Sequence, residues 1–133
     1  MTLEKEIIKA AKSGDAASIK SLLQEDPNLI HATDRDGSTP LHCASWKGHT
    51  EIVCMLRDAG SDIDAHNENG HWGTTPLHAA AHGKRKAVAE CLINRGAAVN
   101  IRSPLNQLTA LGHTKVHKAT AVADILLQHG AEE

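Results

Sequence analysis

The segment Thr39-Pro-Leu-His-Cys-Ala recurs as Thr75-Pro-Leu-His-Ala-Ala, 36 positions further along the chain. Self-similarity at a fixed period of this size is typical of repeat proteins, in which each repeat is one small unit of secondary structure. A spacing of 21 residues then separates a threonine from a following glycine in three successive places: Thr39 to Gly60, Thr75 to Gly96, and Thr109 to Gly130. The pattern therefore predicts at least three repeated units.

A fourth unit precedes these three, because Ala10-Ala-Lys-Ser-Gly-Asp places Gly14 where Gly48 stands in the next unit. Four units then account for the whole chain as a single domain, residues 1–133. The predicted repeats are residues 1–33, 34–66, 67–102 and 103–133.

Each unit predicts two short helices joined by a turn. Thr39 and Thr75 are favourable N-cap residues, and the proline after each sits at the first helical position, where its missing N–H costs nothing. Leucine, isoleucine, valine and alanine then follow at helical spacing. None of these helices reaches the ~12–15 residues that an isolated helix needs in water, so the fold must come from stacking of neighbouring units.

The composition agrees with closely packed small helices. The chain has 133 residues, 41% of them apolar and only 2% aromatic, with two tryptophans and neither phenylalanine nor tyrosine. Such a core favours helices over a β-sandwich, since pleated sheets are usually filled by aromatic and β-branched residues. The formal charge of −2 gives no reason to expect nucleic-acid binding.

Neither a membrane span nor a disulfide framework is predicted. The N-terminus is charged from its fourth residue and lacks the apolar region of a signal peptide, and no stretch approaches 18 apolar residues. The three cysteines, Cys43, Cys54 and Cys91, lack metal-knuckle spacing and are expected to be reduced thiols. We therefore expect a cytoplasmic protein. The first unit is polar, as a capping repeat should be, and the last residues are acidic, so we also expect the chain to be a complete protein.

On these residues the chain resembles the ankyrin-repeat family, whose D-x-x-G-x-T-P-L-H-x-A-A and later G-A-D-V-N elements appear in the second and third units. The resemblance implies an all-α solenoid of helix-turn-helix units with β-hairpin-like loops. It also implies that His42 and His78 tie the turn together through hydrogen bonds, and that the protein binds a partner through its concave face.

Two departures from the family pattern stand out. The stretch from residue 67 to residue 74 is about three residues longer than the family spacing, and the tip of the protruding loop is the natural place for the excess. The last unit has Ala110 in place of proline and Gly112 in place of histidine, followed by Thr114 and Val116, which are mediocre helix formers. We predict that this helix is the least protected of all.

Catalytic motifs are absent, and no cofactor is expected. The chain has no glycine-rich phosphate loop, no nucleophile elbow and no assignable carboxylate pair. The pairs His78/His82 and His113/His117 have the i, i+4 spacing that can chelate zinc, so a metal-binding or catalytic protein is the alternative hypothesis. Against it, the first histidine of neither pair is followed by the glutamate of a metalloprotease, and no third ligand is marked.

Charge is distributed unevenly along the chain. Residues 84–133 carry 7 basic and 4 acidic side chains, whereas residues 1–83 carry 7 basic and 12 acidic ones. An ordinary solvated surface explains this asymmetry, and the alternative is a dipolar surface that orients an acidic partner.

The family register predicts the residues that contact a partner. In the turns these are Arg35, Asp36, Ser38, His71, Trp72 and Thr74, and on the first helices they are Trp46, Lys47, His82, Val116 and His117. Both tryptophans fall in the set, and exposed tryptophan is a frequent energetic anchor of interfaces. The alternative is that both indoles pack against the protein's own fold.

The sequence thus predicts a non-catalytic adaptor or scaffold that binds another protein through its concave face and loop tips. It is expected to be a monomer in the cytoplasm, without a role at membranes or on nucleic acid.

Overall fold

The structure is a computed structural model that describes residues 2–68, 75–104 and 106–132, apart from the side chain of His117. Within these ranges the chain forms helices and turns and no strand, which confirms the predicted all-α fold. In chain order the elements are α1 (Leu3–Ser13), α2 (Ala16–Glu25), a short 3₁₀ helix (Pro27–His31), α3 (Pro40–Lys47), α4 (Thr50–Asp58), α5 (Pro76–His82), α6 (Lys86–Asn94), α7 (Ala110–His117) and α8 (Thr120–Gln128).

These helices stack in two layers. The first helices of the units, α1, α3, α5 and α7, pack side by side in that order, and the second helices, α2, α4, α6 and α8, form the layer behind them. Contacts within the first layer are more extensive than those within the second. Each helix therefore finds its apolar partners in its own unit and in the adjacent ones, as the short helix lengths require.

Buried alanines allow close packing within the first layer. Ala44 on α3 and Ala80 and Ala81 on α5 are all 0% exposed, and their single methyl groups let neighbouring backbones come close. Larger aliphatic side chains, such as Leu41 and Leu77, are buried in the same core. The predicted apolar stripes thus form one continuous core.

Threonine caps begin the first helices as the sequence predicts for α3 and α5. The Thr39 hydroxyl accepts a hydrogen bond from the backbone N–H of His42 at 3.3 Å, and Pro40 occupies the first helical turn. The same type of cap is formed in the other first helices by Thr2, Thr75 and Thr109. Loss of such a cap costs about 1 kcal/mol.

A left-handed residue follows each first helix. It is glycine in two units, Gly14 and Gly48, both with φ 81°. In the other two units it is lysine, Lys84 with φ 58° and Lys118 with φ 56°. A side chain in this conformation costs about 1–2 kcal/mol, so two of the four turns carry backbone strain that the other two avoid.

In the described ranges, none of the helices has both the length and the apolar content needed to cross a bilayer.

Candidate protein-binding surface

Those predicted contact residues that the structure describes lie in the turn before α3 and towards the ends of α3, α5 and α7. Arg35 and Asp36 are exposed in the turn before α3, Lys47 is exposed at the end of α3, and Val116 near the end of α7 is 62% exposed. Trp46 and His82, which end α3 and α5, are half-buried. His71, Trp72 and Thr74 lie outside the described residues, and of His117 the backbone alone is described.

The turn at residues 34–38 is held by a single carboxylate. Asp34 Oδ1 accepts hydrogen bonds from the backbone N–H groups of Asp36 at 2.9 Å and Ser38 at 3.0 Å, and the Asp34 N–H donates to the Ser38 carbonyl at 3.0 Å. An aspartate that bonds its own backbone in this way stabilises a tight turn. The turn therefore presents the Arg35 and Asp36 side chains on a fixed backbone.

Ser38 does not belong with the other turn residues. It is 0% exposed, and its hydroxyl accepts a hydrogen bond at 2.9 Å from the Asn67 side-chain amide of the next unit. The family register places it in the turn correctly, but the pairing with Asn67 turns the side chain inward. Ser38 links two loops, and we remove it from the contact set.

Trp46 and Lys47 form a pair at the end of α3. The Lys47 ammonium lies 4.4 Å from the centre of the Trp46 ring, a cation–π arrangement. The Trp46 backbone carbonyl accepts a hydrogen bond from Arg85 Nε of the next unit at 3.1 Å. The Trp46 backbone is therefore fixed by the bond to Arg85 and its ring by the contact with Lys47. The indole is half-buried.

A groove of about 670 Å³ runs between α1, the turn before α3 and the end of α3. It is lined by the cations Lys5, Lys9, Lys12, Arg35 and Lys47 and by Glu4, Ile8, Ser13, Thr33 and Asp34. One of the two carboxylates, Asp34, lies 3.8 Å from the Lys12 ammonium. We call this feature the basic groove, because its cationic side chains outnumber its carboxylates.

Counting charges along the chain did not reveal the basic groove. Residues 1–83 are net acidic, yet the fold gathers five of their cations around one depression. The signal available in the sequence was the spacing of Lys5, Lys9 and Lys12, which places them on one face of a helix. Their convergence with Arg35 and Lys47 depends on how α1 packs against the second unit.

A second feature missed in the sequence is a cap formed between units. His49 Nε2 donates to the Lys12 carbonyl at 3.0 Å, and Arg85 Nε donates to the Trp46 carbonyl at 3.1 Å. Both donors are N-cap residues of second helices, α4 and α6, and both acceptors lie near the end of the preceding unit's first helix. These bonds satisfy carbonyls that a helix end leaves unpaired. The matching position before α8 is Ala119, which has no donor in its side chain.

The histidines predicted to tie the turns do so. In α3, the His42 ring accepts at Nδ1 from the Thr39 backbone N–H at 3.1 Å. In α5, His78 Nδ1 accepts from the Thr75 hydroxyl at 2.8 Å, and His78 Nε2 donates to the Leu108 carbonyl of the last unit at 2.9 Å. Burial lowers the pKa of His78 below its ordinary value, which keeps the ring neutral and suits this bonding pattern.

The arrangement of the histidine rings on α5 and α7 tests the alternative hypothesis of a metal site. His78 and His113 meet edge-on with ring centres 5.3 Å apart, and His82 lies 6.5 Å from His113. Both nitrogens of His78 are already bonded to protein groups, which leaves no lone pair for a metal ion. Among the described residues no group of three or more histidine, cysteine or carboxylate side chains has a metal-binding arrangement. The described hydrogen bonds of His78 therefore give it a structural role in the fold.

Two family models of ankyrin repeats match this chain. The family model described as ankyrin repeats (many copies) matches residues 7–57, and that described as ankyrin repeats (3 copies) matches residues 59–133.

Three relatives illustrate where the similarity lies. The serine/threonine-protein kinase VIK of Arabidopsis thaliana is 39% identical over 68% of this chain and 20% of its own length. The ankyrin repeat and SAM domain-containing protein 6 of Mus musculus is 34% identical over 74% of this chain and 11% of its own length. The probable E3 ubiquitin-protein ligase XBOS33 of Oryza sativa is 36% identical over 67% of this chain and 17% of its own length. This chain thus spans a fifth or less of each of these relatives.

The helix pairs, the threonine caps, the bonded His42 and His78 and the matches along almost the whole length agree with one another. This chain belongs to the ankyrin-repeat family.

Proposed function

We propose that this protein is a non-catalytic adaptor that binds an acidic segment of a protein partner in the basic groove, with Trp46 as an apolar anchor beside it. The observation that carries the proposal is the convergence of five cationic side chains on one depression of the first two units. Ankyrin repeats are in general protein-interaction modules, and the groove adds the chemistry of the partner.

The charge of the groove supports an acidic occupant. Lys12 already has a carboxylate neighbour in Asp34, whereas Lys5, Lys9, Arg35 and Lys47 form no salt bridge within 4.0 Å in the described part of the chain. Carboxylates from a partner would supply that pairing. Exposed pairs contribute roughly 0.2–1 kcal/mol each, so their main effects are orientation and a faster association rate.

Trp46 provides the apolar part of the interaction. Its ring is half-buried and already stacked against Lys47, so little side-chain freedom remains to be lost on binding. Tryptophans of this kind contribute about 2 kcal/mol or more when a partner removes them from water. Arg35 and Asp36, His82 and Val116 extend the proposed surface along the adjacent units.

The helix stack supports a surface that exists before the partner arrives. Contacts in the first-helix layer are more extensive than those in the second, and such a difference bends a stack towards its more tightly packed side. We infer that the first helices and the turns before them line the concave side. A surface held by helix packing needs little ordering on association.

The proposal extends to the protein's setting. We propose that it acts as a monomer in the cytoplasm and without nucleic acid, and the free thiols of its three cysteines suit a reducing compartment. The kinase and ligase names belong to much longer chains, and we attribute neither activity to this one.

The test begins with photo-cross-linking from position 47 in native lysate, followed by affinity measurements on the captured protein. We expect Trp46→Ala to weaken its binding at least tenfold and Lys47→Glu to weaken it about fivefold, and a rise in salt to weaken binding to the native chain. The matched control is Lys20→Glu, a charge reversal at an exposed position of α2 outside the groove, which should leave the affinity unchanged.

Melting temperatures of the same variants separate binding from folding. Lost affinity with an unchanged melting temperature supports the proposal. If Trp46→Ala lowers the melting temperature without lowering the affinity, the Trp46 ring stabilises the fold and does not bind the partner. A partner whose affinity responds to Lys20→Glu and not to Lys47→Glu would contradict the proposed site.

A further inference from the structure

Two cysteines from adjacent units meet between the second helices. Cys54 on α4 and Cys91 on α6 place their Sγ atoms 2.8 Å apart, although they are 37 positions apart in the sequence. Both are free thiols and both side chains are half-buried, so that solvent reaches the pair. Sequence spacing gave no indication of this pairing, because it depends on how the two units stack.

The sulfur separation is short enough for a covalent bond after a small movement. A disulfide bond is about 2.05 Å long, so the two Sγ atoms need to approach by less than about 1 Å. The helices that carry them contact each other directly and are each two to three turns long. A sub-ångström approach is within the range of side-chain rotation in such a contact.

The third cysteine provides an internal contrast. Cys43 lies on α3, is 1% exposed and is surrounded by the core. Burial raises the pKa of the Cys43 thiol to about 12, which suppresses the reactive thiolate. The chain therefore holds one inert thiol and one solvent-accessible pair.

We propose that Cys54 and Cys91 are a redox modification site: a hydroperoxide converts them to a disulfide that covalently joins the second helices of the second and third units, and thiol reductants reverse it. This role is independent of partner binding in the basic groove, which lies on α1, the turn before α3 and the end of α3.

The reaction balances with one equivalent of hydrogen peroxide. One cysteine sulfur, as thiolate, attacks the O–O bond, is oxidised to a sulfenic acid and releases hydroxide, which takes up the thiol proton to become water. The second sulfur attacks the sulfenic sulfur, the S–S bond forms, and the S–O bond breaks to release a second water. Two thiols and one peroxide thus give one disulfide and two waters.

The surroundings explain why the reduced pair persists until an oxidant arrives. Burial raises the pKa of Cys91 to about 11, with the neighbouring Cys54 adding to the shift and the Arg95 guanidinium opposing it. Arg95, the residue that follows α6, is itself paired with Asp58 at the end of α4, so a salt bridge connects the two helices beside the thiols. A Cys91 thiol that is mostly protonated at neutral pH oxidises slowly.

The disulfide should restrain the unfolded chain. It closes a loop of 37 positions that contains α5. On the chain-entropy account a loop of this length raises the melting temperature by about 10 °C, since it removes many open conformations from the unfolded state.

The test uses the full chain, reduced and then exposed to a molar excess of hydrogen peroxide before alkylation of the remaining thiols. Trypsin places the three cysteines in separate peptides, residues 36–47, 48–57 and 87–95, so mass spectrometry reads each link directly. We expect the 48–57 and 87–95 peptides joined and two hydrogens lighter, and the 36–47 peptide alkylated as a free thiol.

Matched variants distinguish a specific link from general oxidation. Cys43→Ala should keep the linked pair, while Cys54→Ser and Cys91→Ser should lose both the link and the rise in melting temperature on oxidation. A link through the 36–47 peptide, a link between two chains, or sulfinic acid at either position in place of a link would overturn the proposal. So would a linked pair in the native chain that reductant fails to reverse.

Discussion

The first helices of the third and fourth units, α5 and α7, differ by one residue in length and are built from different residues. In α5, Thr75 caps the helix, proline follows at position 76, and His78 bonds both to Thr75 and to the next unit. In α7, Thr109 still accepts from the Gly112 N–H at 3.1 Å, but alanine replaces the proline and glycine replaces the histidine.

The comparison shows which of the family residues α7 retains. The Thr109 hydroxyl donates to the Glu132 carbonyl at 2.8 Å, so the capping residue also bonds to the segment that follows α8. Leu108 lies beside Gly112, and a methyl group on Gly112 would come within 3.1 Å of its side chain. Stacking against α5 and a threonine cap suffice to form the helix, and we expect the proline and histidine of α5 to add stability that α7 lacks.

The largest expected effect comes from breaking α5 at His78. His78→Ala removes the bonds to the Thr75 hydroxyl and to the Leu108 carbonyl and leaves a cavity at a side chain that is 1% exposed. We expect the free energy of unfolding to fall by about 3 kcal/mol, measured by denaturant titration. His129→Ala, at an exposed position, is the control and should change it by less than about 0.5 kcal/mol.

Hydrogen exchange tests the comparison without mutation. The backbone amides of α7 should exchange at least about tenfold faster than those of α3 and α5, since Gly112 alone costs about 1 kcal/mol relative to alanine and Thr114 and Val116 add to it. Slower exchange in α7 than in the other first helices would contradict the prediction.

Lowering the pH should reduce the free energy of unfolding through protonation of His78 on α5. Because burial lowers the pKa of His78 in the folded state, the unfolded chain binds the extra proton first as pH falls through the ordinary value near 6.5. Stability is therefore fully present above about pH 7 and declines towards the lowered pKa, with a slope of at most about 1.4 kcal/mol per pH unit from this group. Denaturant titrations at pH 7, 6 and 5 should give a shallower slope for His78→Ala than for the native chain; equal slopes would show that other groups cause the decline.

The smallest effect concerns the turns that end the helices. Lys118→Gly relieves the left-handed strain after α7 and should raise the free energy of unfolding by about 0.5–1 kcal/mol. The reciprocal change Gly48→Ala should lower it by about 1 kcal/mol or more, because the new Cβ meets Arg85 Cδ at 2.7 Å in a left-handed backbone. Opposite signs in thermal melts support the comparison, and a destabilised Lys118→Gly would contradict it.

The local sequence pattern was enough to predict the helices, but it did not predict the positions of several side chains. The repeated Thr-Pro-Leu-His segment located α3 and α5, since caps and first-turn prolines act within a few residues. The bonding of His42 and His78 was implied by the resemblance to the ankyrin family, and the structure confirms it. The same register placed Ser38 on the surface, whereas Asn67 of the next unit draws it inward. The predicted contacts at His71, Trp72 and Thr74 lie outside the described residues and stay predictions.

What the sequence determined by itself is the repeat: its period, its paired helices and the residues that begin and end them, because these follow from bonds between near neighbours in the chain. What only the tertiary structure decided is which distant side chains meet. The five cations of the basic groove and the thiols of Cys54 and Cys91 come together because one unit stacks on the next at a particular distance and angle. That geometry is set by the summed packing of whole helix faces, which no short segment encodes.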